Sequence, residues 1–157
     1  MPLEIRRANP SEFTAVGELC VAAYAAFLVG DDHYVATLRD AQRRAAEAEL
    51  LVAAGPEVLG TVTFVPDGGP FGEIAGPAET EFRMLAVSPS AQGRGVGAAL
   101  LQRIIDASAG RERIVCSSLP EMRAAHRVYE RFGFTRAPER DWSPVPGVDL
   151  IAFVMTL

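Results

Sequence analysis

The residues best placed to do chemistry cluster in one short run of the 157-residue chain, Gln92-Gly93-Arg94-Gly95-Val96-Gly97-Ala98. The run follows the stretch Glu81-Phe82-Arg83-Met84-Leu85-Ala86-Val87 and precedes apolar residues at helical spacing, Leu100, Leu101, Ile104 and Ile105. A strand, a glycine-rich turn and a helix start, in that order, offer several backbone N–H groups and the positive end of a helix dipole. Such a bend suits a phosphate, and Arg94 adds a formal cation beside it. A nucleotide P-loop would need Gly-Lys-Ser/Thr after the turn, and the chain holds no lysine. A dinucleotide fingerprint is met by Gly93, Gly95 and Ala98, but that motif normally follows the first strand of a βαβ unit. Here an N-terminal helical half and a hairpin come first. An ordinary strand–turn–helix, with small residues for tight packing, is the bland alternative.

The elements that must position this run can be read from hydrophobic period and breakers. Residues 3–6 form a short strand. Asn9-Pro10-Ser11-Glu12 opens a helix with Phe13, Val16, Cys20, Ala23, Tyr24 and Phe27 on one face. Gly30-Asp31-Asp32 breaks it, and Asp31 or Asp32 caps a second helix through Val35, Leu38, Ala41, Ala45 and Ala48. Residues 49–54 and 58–65, joined by Gly55-Pro56-Glu57, predict an antiparallel hairpin. Residues 67–78 are rich in glycine and proline and form a long loop, of a kind that often carries function. After the central strand and its helix come a strand over 114–118 and a helix over 120–132. That helix carries Met122, Ala125, Val128, Tyr129 and Phe132 on one side and is closed by Gly133. Residues 135–142 and 148–157 are the last two strands. The order is β-α-α-β-β-β-α-β-α-β-β in a single α/β (α+β) domain over residues 1–157.

Composition excludes several classes of function. Nearly half the residues are apolar (49%), which excludes a disordered chain. No run reaches the roughly 18 apolar residues of a membrane span, and the first residues carry no export signal, so a cytoplasmic protein off the membrane is expected. Cys20 and Cys116 both lie in apolar segments and read as buried free thiols. His33 and His126 are far apart, so no metal is expected. The net charge of −5 is uneven. Residues 1–93 hold 6 arginines against 13 acidic residues, whereas residues 94–140 hold 9 against 5. A phosphate-bearing ligand would gain from the basic part and an amine from the acidic part, although solvated helix faces give the same count. The net negative charge argues against nucleic acid as a partner.

Gln92, Gly95 and Gly97 also spell Gln-x-x-Gly-x-Gly after a strand ending Leu-Ala-Val-Ser-Pro. This resembles the acetyl-CoA signature of the GNAT superfamily of N-acetyltransferases. Downstream, Ala125, Tyr129, Gly133 and Phe134 resemble the family's Ala-x-x-x-Tyr-x-x-x-Gly-Phe helix. The two motifs stand in the family's order on the expected elements. The resemblance covers nearly the whole chain and is weakest over residues 9–48. It implies the GNAT fold: a mixed, mostly antiparallel central sheet of about seven strands flanked by about four helices.

The resemblance also implies roles. Backbone groups of Leu85, Ala86 and Val87 would bind the pantetheine arm of acetyl-CoA. The N–H groups of Gly93, Arg94, Gly95, Val96, Gly97 and Ala98 would cradle its diphosphate, with Gln92 shaping the turn. In the family the central strand splays from the next one, here around Ser117, and the acyl group sits in the gap. Oriented reactants can supply about 7–11 kcal/mol of a barrier. Tyr129 matches the tyrosine that gives a proton to the departing sulfur. Glu81 lies where some relatives carry a general base; strand alternation would group it with Arg83, Leu85 and Val87, and a salt bridge to Arg83 is its alternative role. Glu79, and Asp141 beside Trp142, are candidates for holding a cationic substrate. Met122 stands where the family often has an Asn that contacts the cofactor arm. The reaction implied is acetyl transfer from acetyl-CoA to a primary amine by direct attack in a ternary complex. The alternative is a non-catalytic acyl-CoA-binding or regulatory module on the same fold. The amine acceptor is left open, its specificity falling to residues 28–36, 67–80 and 141–148. Relatives are often dimers through their last strands, so a homodimer is compatible with the resemblance.

Overall fold

The computed structural model describes residues 3–27 and 32–157. Gly30 and Asp31, read above as a helix break and a cap, lie outside the described residues. Strands β1 (Glu4–Arg7), β2 (Glu49–Ala54), β3 (Val58–Val65) and β4 (Glu79–Val87) pair antiparallel in sequence order. β5 (Arg113–Ser118) then joins β4 in parallel, and β8 (Val148–Thr156) lies on the far side of β5. Two short strands, β6 (Thr135–Arg136) and β7 (Trp142–Val145), complete an eight-stranded sheet by pairing with β8. Helices α1 (Phe13–Tyr24), α2 (Asp32–Arg39) and α3 (Ala41–Glu47) cover one face. α4 (Val96–Ala107) and α5 (Arg123–Arg131) cover the other.

Each face has its own core. On the α4–α5 face the rings of Phe82, Tyr129, Phe134 and Phe153 meet at centroid distances of 5.5–6.0 Å, mostly edge to face. Fully burying one such ring contributes about 1.5–3 kcal/mol. On the other face Val16, Cys20, Leu38 and Ala41 pack on Leu50, Val52, Met84 and Ala86. Gly60 lets the start of α4 press onto β3: a Cβ there would stand 2.6 Å from Val96 Cγ1. Among the described residues no helix is long and apolar enough to cross a membrane.

Among the described residues there are eight strands and five helices where the sequence suggested about seven and four. The expected second helix breaks at Asp40, which leaves helical geometry (φ −83°, ψ 65°) and caps α3 by accepting the Arg43 N–H at 3.1 Å. Buried Arg44 reaches back from α3 and donates to the carbonyls of Thr37 and Leu38, at 2.7 and 2.9 Å, so α2 ends on a guanidinium. The expected strand over 135–142 is cut by a 3-10 turn at Pro138–Arg140, since proline lacks the N–H a ladder needs. α5 starts at Arg123, three residues later than the sequence suggested.

β4 carries the departure that matters for function. Thr63 pairs with Arg83 and Thr61 with Ala86, so two residues of β4, Met84 and Leu85, face the single Val62. This is a bulge, and Met84 sits in it at φ +56°. The bulge inverts the alternation. Phe82 faces the α4–α5 core, but beyond the bulge Met84 and Ala86 face the other core and Leu85 and Val87 turn toward α4. Leu85 and Val87 therefore do not share a face with Glu81 and Arg83, as unbroken alternation would require.

Candidate active site

β4 pairs with β5 only from Glu79 to Glu81. Beyond Glu81 the strands part, and among the described residues the β5 side of β4 has no strand partner. The parting opens a cavity of about 560 Å³. Its floor is Phe82–Leu85 of β4 and Ser117–Leu119 at the end of β5. Its walls come from Tyr24 of α1, His33, Tyr34 and Thr37 of α2, Glu73 of the β3–β4 loop, and Met122 and Tyr129 around α5. The β7–β8 hairpin closes it with Pro144, Val145, Val148 and Leu150. All three segments expected to set specificity thus contribute, although residues 28–31 lie outside the described residues. The Leu85 carbonyl at this open edge accepts the Tyr24 hydroxyl at 3.3 Å.

The glycine-rich bend lies just past the open end of β4. Gly93 and Gly95 sit at φ +78° and +77°, a region costly for residues with a Cβ, and Gly95 is the N-cap of α4. Arg94 N–H turns inward to Ala91 O at 3.3 Å. The amides of Gly93, Gly95, Val96, Gly97 and Ala98 have no acceptor among the described residues. Five free amides at the start of a twelve-residue helix form a cradle that fits a diphosphate. The side chains of Gln92 and Arg94 are exposed there. The set expected from sequence is therefore brought together, except that Arg94 offers its side chain and not its amide.

Tyr129 packs in the aromatic core and lines the cavity, and its hydroxyl has no hydrogen-bond partner among the described residues. Burial, helped by the neighbouring Cys116 and Tyr24, pushes its pKa well above that of an ordinary phenol, so it holds its proton through the neutral range. Met122 lines the cavity at the N-cap of α5. Cys116 is buried in the core and does not line the cavity; burial pushes its thiol pKa up.

The acidic candidates land differently. Glu81 is wholly buried and is not among the residues lining the cavity. Its Oε1 accepts three successive loop amides, Glu73, Ile74 and Ala75, at 2.9, 3.2 and 3.2 Å. Glu81 thereby fixes the loop, and the residue that the loop turns to the cavity is Glu73. Glu73 Oε1 lies 3.0 Å from Arg83 Nε, and both side chains are about one-seventh exposed (14%). Burial pushes the Glu73 carboxyl up to about 7, against the pull of Arg83 and with the help of the nearby Glu81. No period in the sequence points to Glu73, because loop side chains show none. The available signal was that it is the one ionisable residue between Asp67 and Glu79 in the glycine- and proline-rich loop.

Glu79, Asp141 and Trp142 are engaged in holding the fold together. Glu79 accepts both Nη atoms of Arg140 at 2.8 and 2.7 Å, Arg113 at 3.1 Å and the Gly76 N–H at 2.8 Å. Asp141 accepts a two-pronged contact from Arg136, both at 2.9 Å, and the Ala152 N–H at 2.8 Å. Trp142 Nε1 donates to Ser117 Oγ at 3.0 Å, bracing the cavity floor.

The Glu79 clamp gives a stability prediction. Hydrogen bonding to Arg140 first, outweighing burial, brings the Glu79 carboxyl down to about 2 from an ordinary 4.5. A depressed carboxyl stabilises the fold above its unfolded pKa, and that contribution is lost as pH falls from about 4.5 to about 2. Glu79→Gln is expected to cost about 2–3 kcal/mol at pH 7, and denaturation curves of variant and wild type should converge toward pH 2. A constant gap across that range would show that the clamp is not ionic.

Comparison with known proteins bears on the family and the fold. The model of the acetyltransferase (GNAT) family matches residues 13–134. No curated protein sequence matches the chain. Among solved structures, yncA from Salmonella typhimurium, determined with its cofactor acetyl-CoA, superposes with a TM-score of 0.67 at 22% identity, covering 100% of this chain and 95% of that one. A GNAT-family acetyltransferase from Staphylococcus aureus Mu50 gives a TM-score of 0.75 at 14% identity over 99% of each chain. A GCN5-related N-acetyltransferase from Kribbella flavida gives 0.69 at 23% identity, covering 99% and 98%. At these identities the likeness is one of fold.

Proposed function

Because this chain belongs to the GNAT acetyltransferase family, we propose that it moves an acetyl group from acetyl-CoA to a primary amine by direct attack in a ternary complex. The observation that carries this reading is one cavity in which the unpaired edge of β4, Tyr129 and Glu73 meet, next to five free amides. Acetyl-CoA, when bound, supplies the acyl group and the thiolate leaving group. The amides of Gly93 and Gly95–Ala98 hold its diphosphate, Arg94 adds charge, and the edge of Leu85–Val87 holds its arm.

Glu73 takes the proton that an alkyl ammonium, with pKa about 10.4, must lose before it can attack. A carboxyl near pH 7 is suited to that task, since half of it is free base while its affinity for the proton is high. Glu81 stands behind it as the residue that positions the loop. Tyr129 keeps a proton ready for the sulfur and recovers one from the attacking nitrogen. Much of the acceleration is positional.

Calorimetry with acetyl-CoA tests the holding site. Wild type is expected to bind, and Gly95→Val, forced into a left-handed backbone, to bind at least about tenfold more weakly. Release of free thiol on adding amines tests the chemistry. Binding of acetyl-CoA with no thiol release across a broad amine panel would favour a non-catalytic acyl-CoA-binding module.

A further inference from the structure

The cavity carries a specific charge pattern. Among the described residues lining it, Glu73 supplies the carboxyl group and Arg83 the guanidinium, and they touch each other at 3.0 Å. Arg83 is held in place, its Nη1 donating to Phe71 O at 3.3 Å and its guanidinium lying 5.8 Å from the Phe71 ring. Beyond this pole the hairpin wall is apolar: Pro144, Val145, Val148 and Leu150.

A simple amine gains little here. Its ammonium would meet the carboxylate, but the adjacent guanidinium opposes it, and the loss of water is poorly compensated. A ligand with only a carboxylate has the mirror-image problem. A zwitterion whose two charges are separated by one carbon can pair with both groups at once, each bond charge-assisted. We infer that the acceptor is a free α-amino acid with an apolar side chain, its ammonium against Glu73, its carboxylate against Arg83 and its side chain along the β7–β8 hairpin. Peptide N-termini and polyamines lack the neighbouring carboxylate and fall outside this class.

The assignment rests on the acetyltransferase reading and completes its proton balance. The acyl C–S bond breaks as the N–C bond forms. Of the two protons the ammonium gives up, one leaves through Glu73 to solvent. The other replaces the proton that Tyr129 hands to the departing sulfur. The products are the N-acetyl amino acid and free thiol.

Binding and turnover separate the two readings. L-leucine, L-leucine methyl ester and 3-methylbutylamine are titrated by calorimetry into the protein, alone and with coenzyme A, and thiol release from acetyl-CoA is followed with the same three. Leucine is expected to bind at least about tenfold more tightly than either analogue, equivalent to about 1.4 kcal/mol. Arg83→Gln is expected to abolish that preference while the amine is held as before; a purely structural arginine would weaken all three alike. If that variant does not fold, the wild-type comparison still decides. Equal or tighter binding of the ester or amine would overturn the inference, as would no binding of leucine, methionine and phenylalanine alike. Amino-acid binding without thiol release would instead overturn the acetyltransferase reading and leave the binding assignment standing.

Discussion

Glu73→Gln is expected to lower kcat/KM by about 10²–10⁴-fold and to remove the acid limb of the pH profile. In the wild type that limb should fall near pH 7, where burial has pushed the Glu73 carboxyl. The sign follows from the role. A base works only unprotonated, so activity rises with pH through this range and is lost below it. Glutamine keeps the size of the side chain and a neutral hydrogen-bonding group for Arg83, so the variant should fold. The loop amides are held by Glu81 and not by Glu73 itself, which protects the backbone from the change. A variant with the wild-type rate and limb would take Glu73 out of the chemistry. The companion change Glu81→Gln alters the group that the loop is built around. A rate loss there that keeps the limb near pH 7 would be that of a positioning residue.

Tyr129→Phe is expected to lower kcat by about 10²-fold or more with little change in affinity for acetyl-CoA. The test is clean because the hydroxyl has no partner among the described residues, while the ring is set by contacts to Phe82 and Phe153 at 5.6 and 5.5 Å. Phenylalanine preserves those contacts, so the melting temperature should barely move. The loss should shrink with thioesters whose leaving thiol is more acidic, since these depend less on a proton donor. Unchanged turnover would remove Tyr129 from the mechanism.

The sequence was most legible where the geometry depends on local backbone. The bend at Gly93 and Gly95 is legible because its glycines meet a local steric demand and sit between two periodic segments. The place of Tyr129 on α5 is legible from its short helical motif. The bulge at Met84 was not, because alternation assumes an unbroken pleat and nothing in Arg83-Met84-Leu85 marks an extra residue. Glu79 and Asp141 looked available to a substrate because their arginine partners, Arg140, Arg113 and Arg136, are brought to them by tertiary folding. Arg44 is an arginine that no apolar period marks, yet it is wholly buried as the end-stop of α2. Such long-range pairings have no period and no spacing, and only the fold supplies them.

The spare residue in β4 has a wider consequence. Sliding this strand by one position against β3 would exchange the side chains that its two cores receive, so the register is locked. The gap on its other side begins where backbone pairing with β5 stops, after Glu81. Substitutions in the hairpin, the long loop or α2 can therefore recast what the gap accepts without closing it. A skeleton of this kind can line the same gap with different side chains while the glycine-rich bend stays as it is.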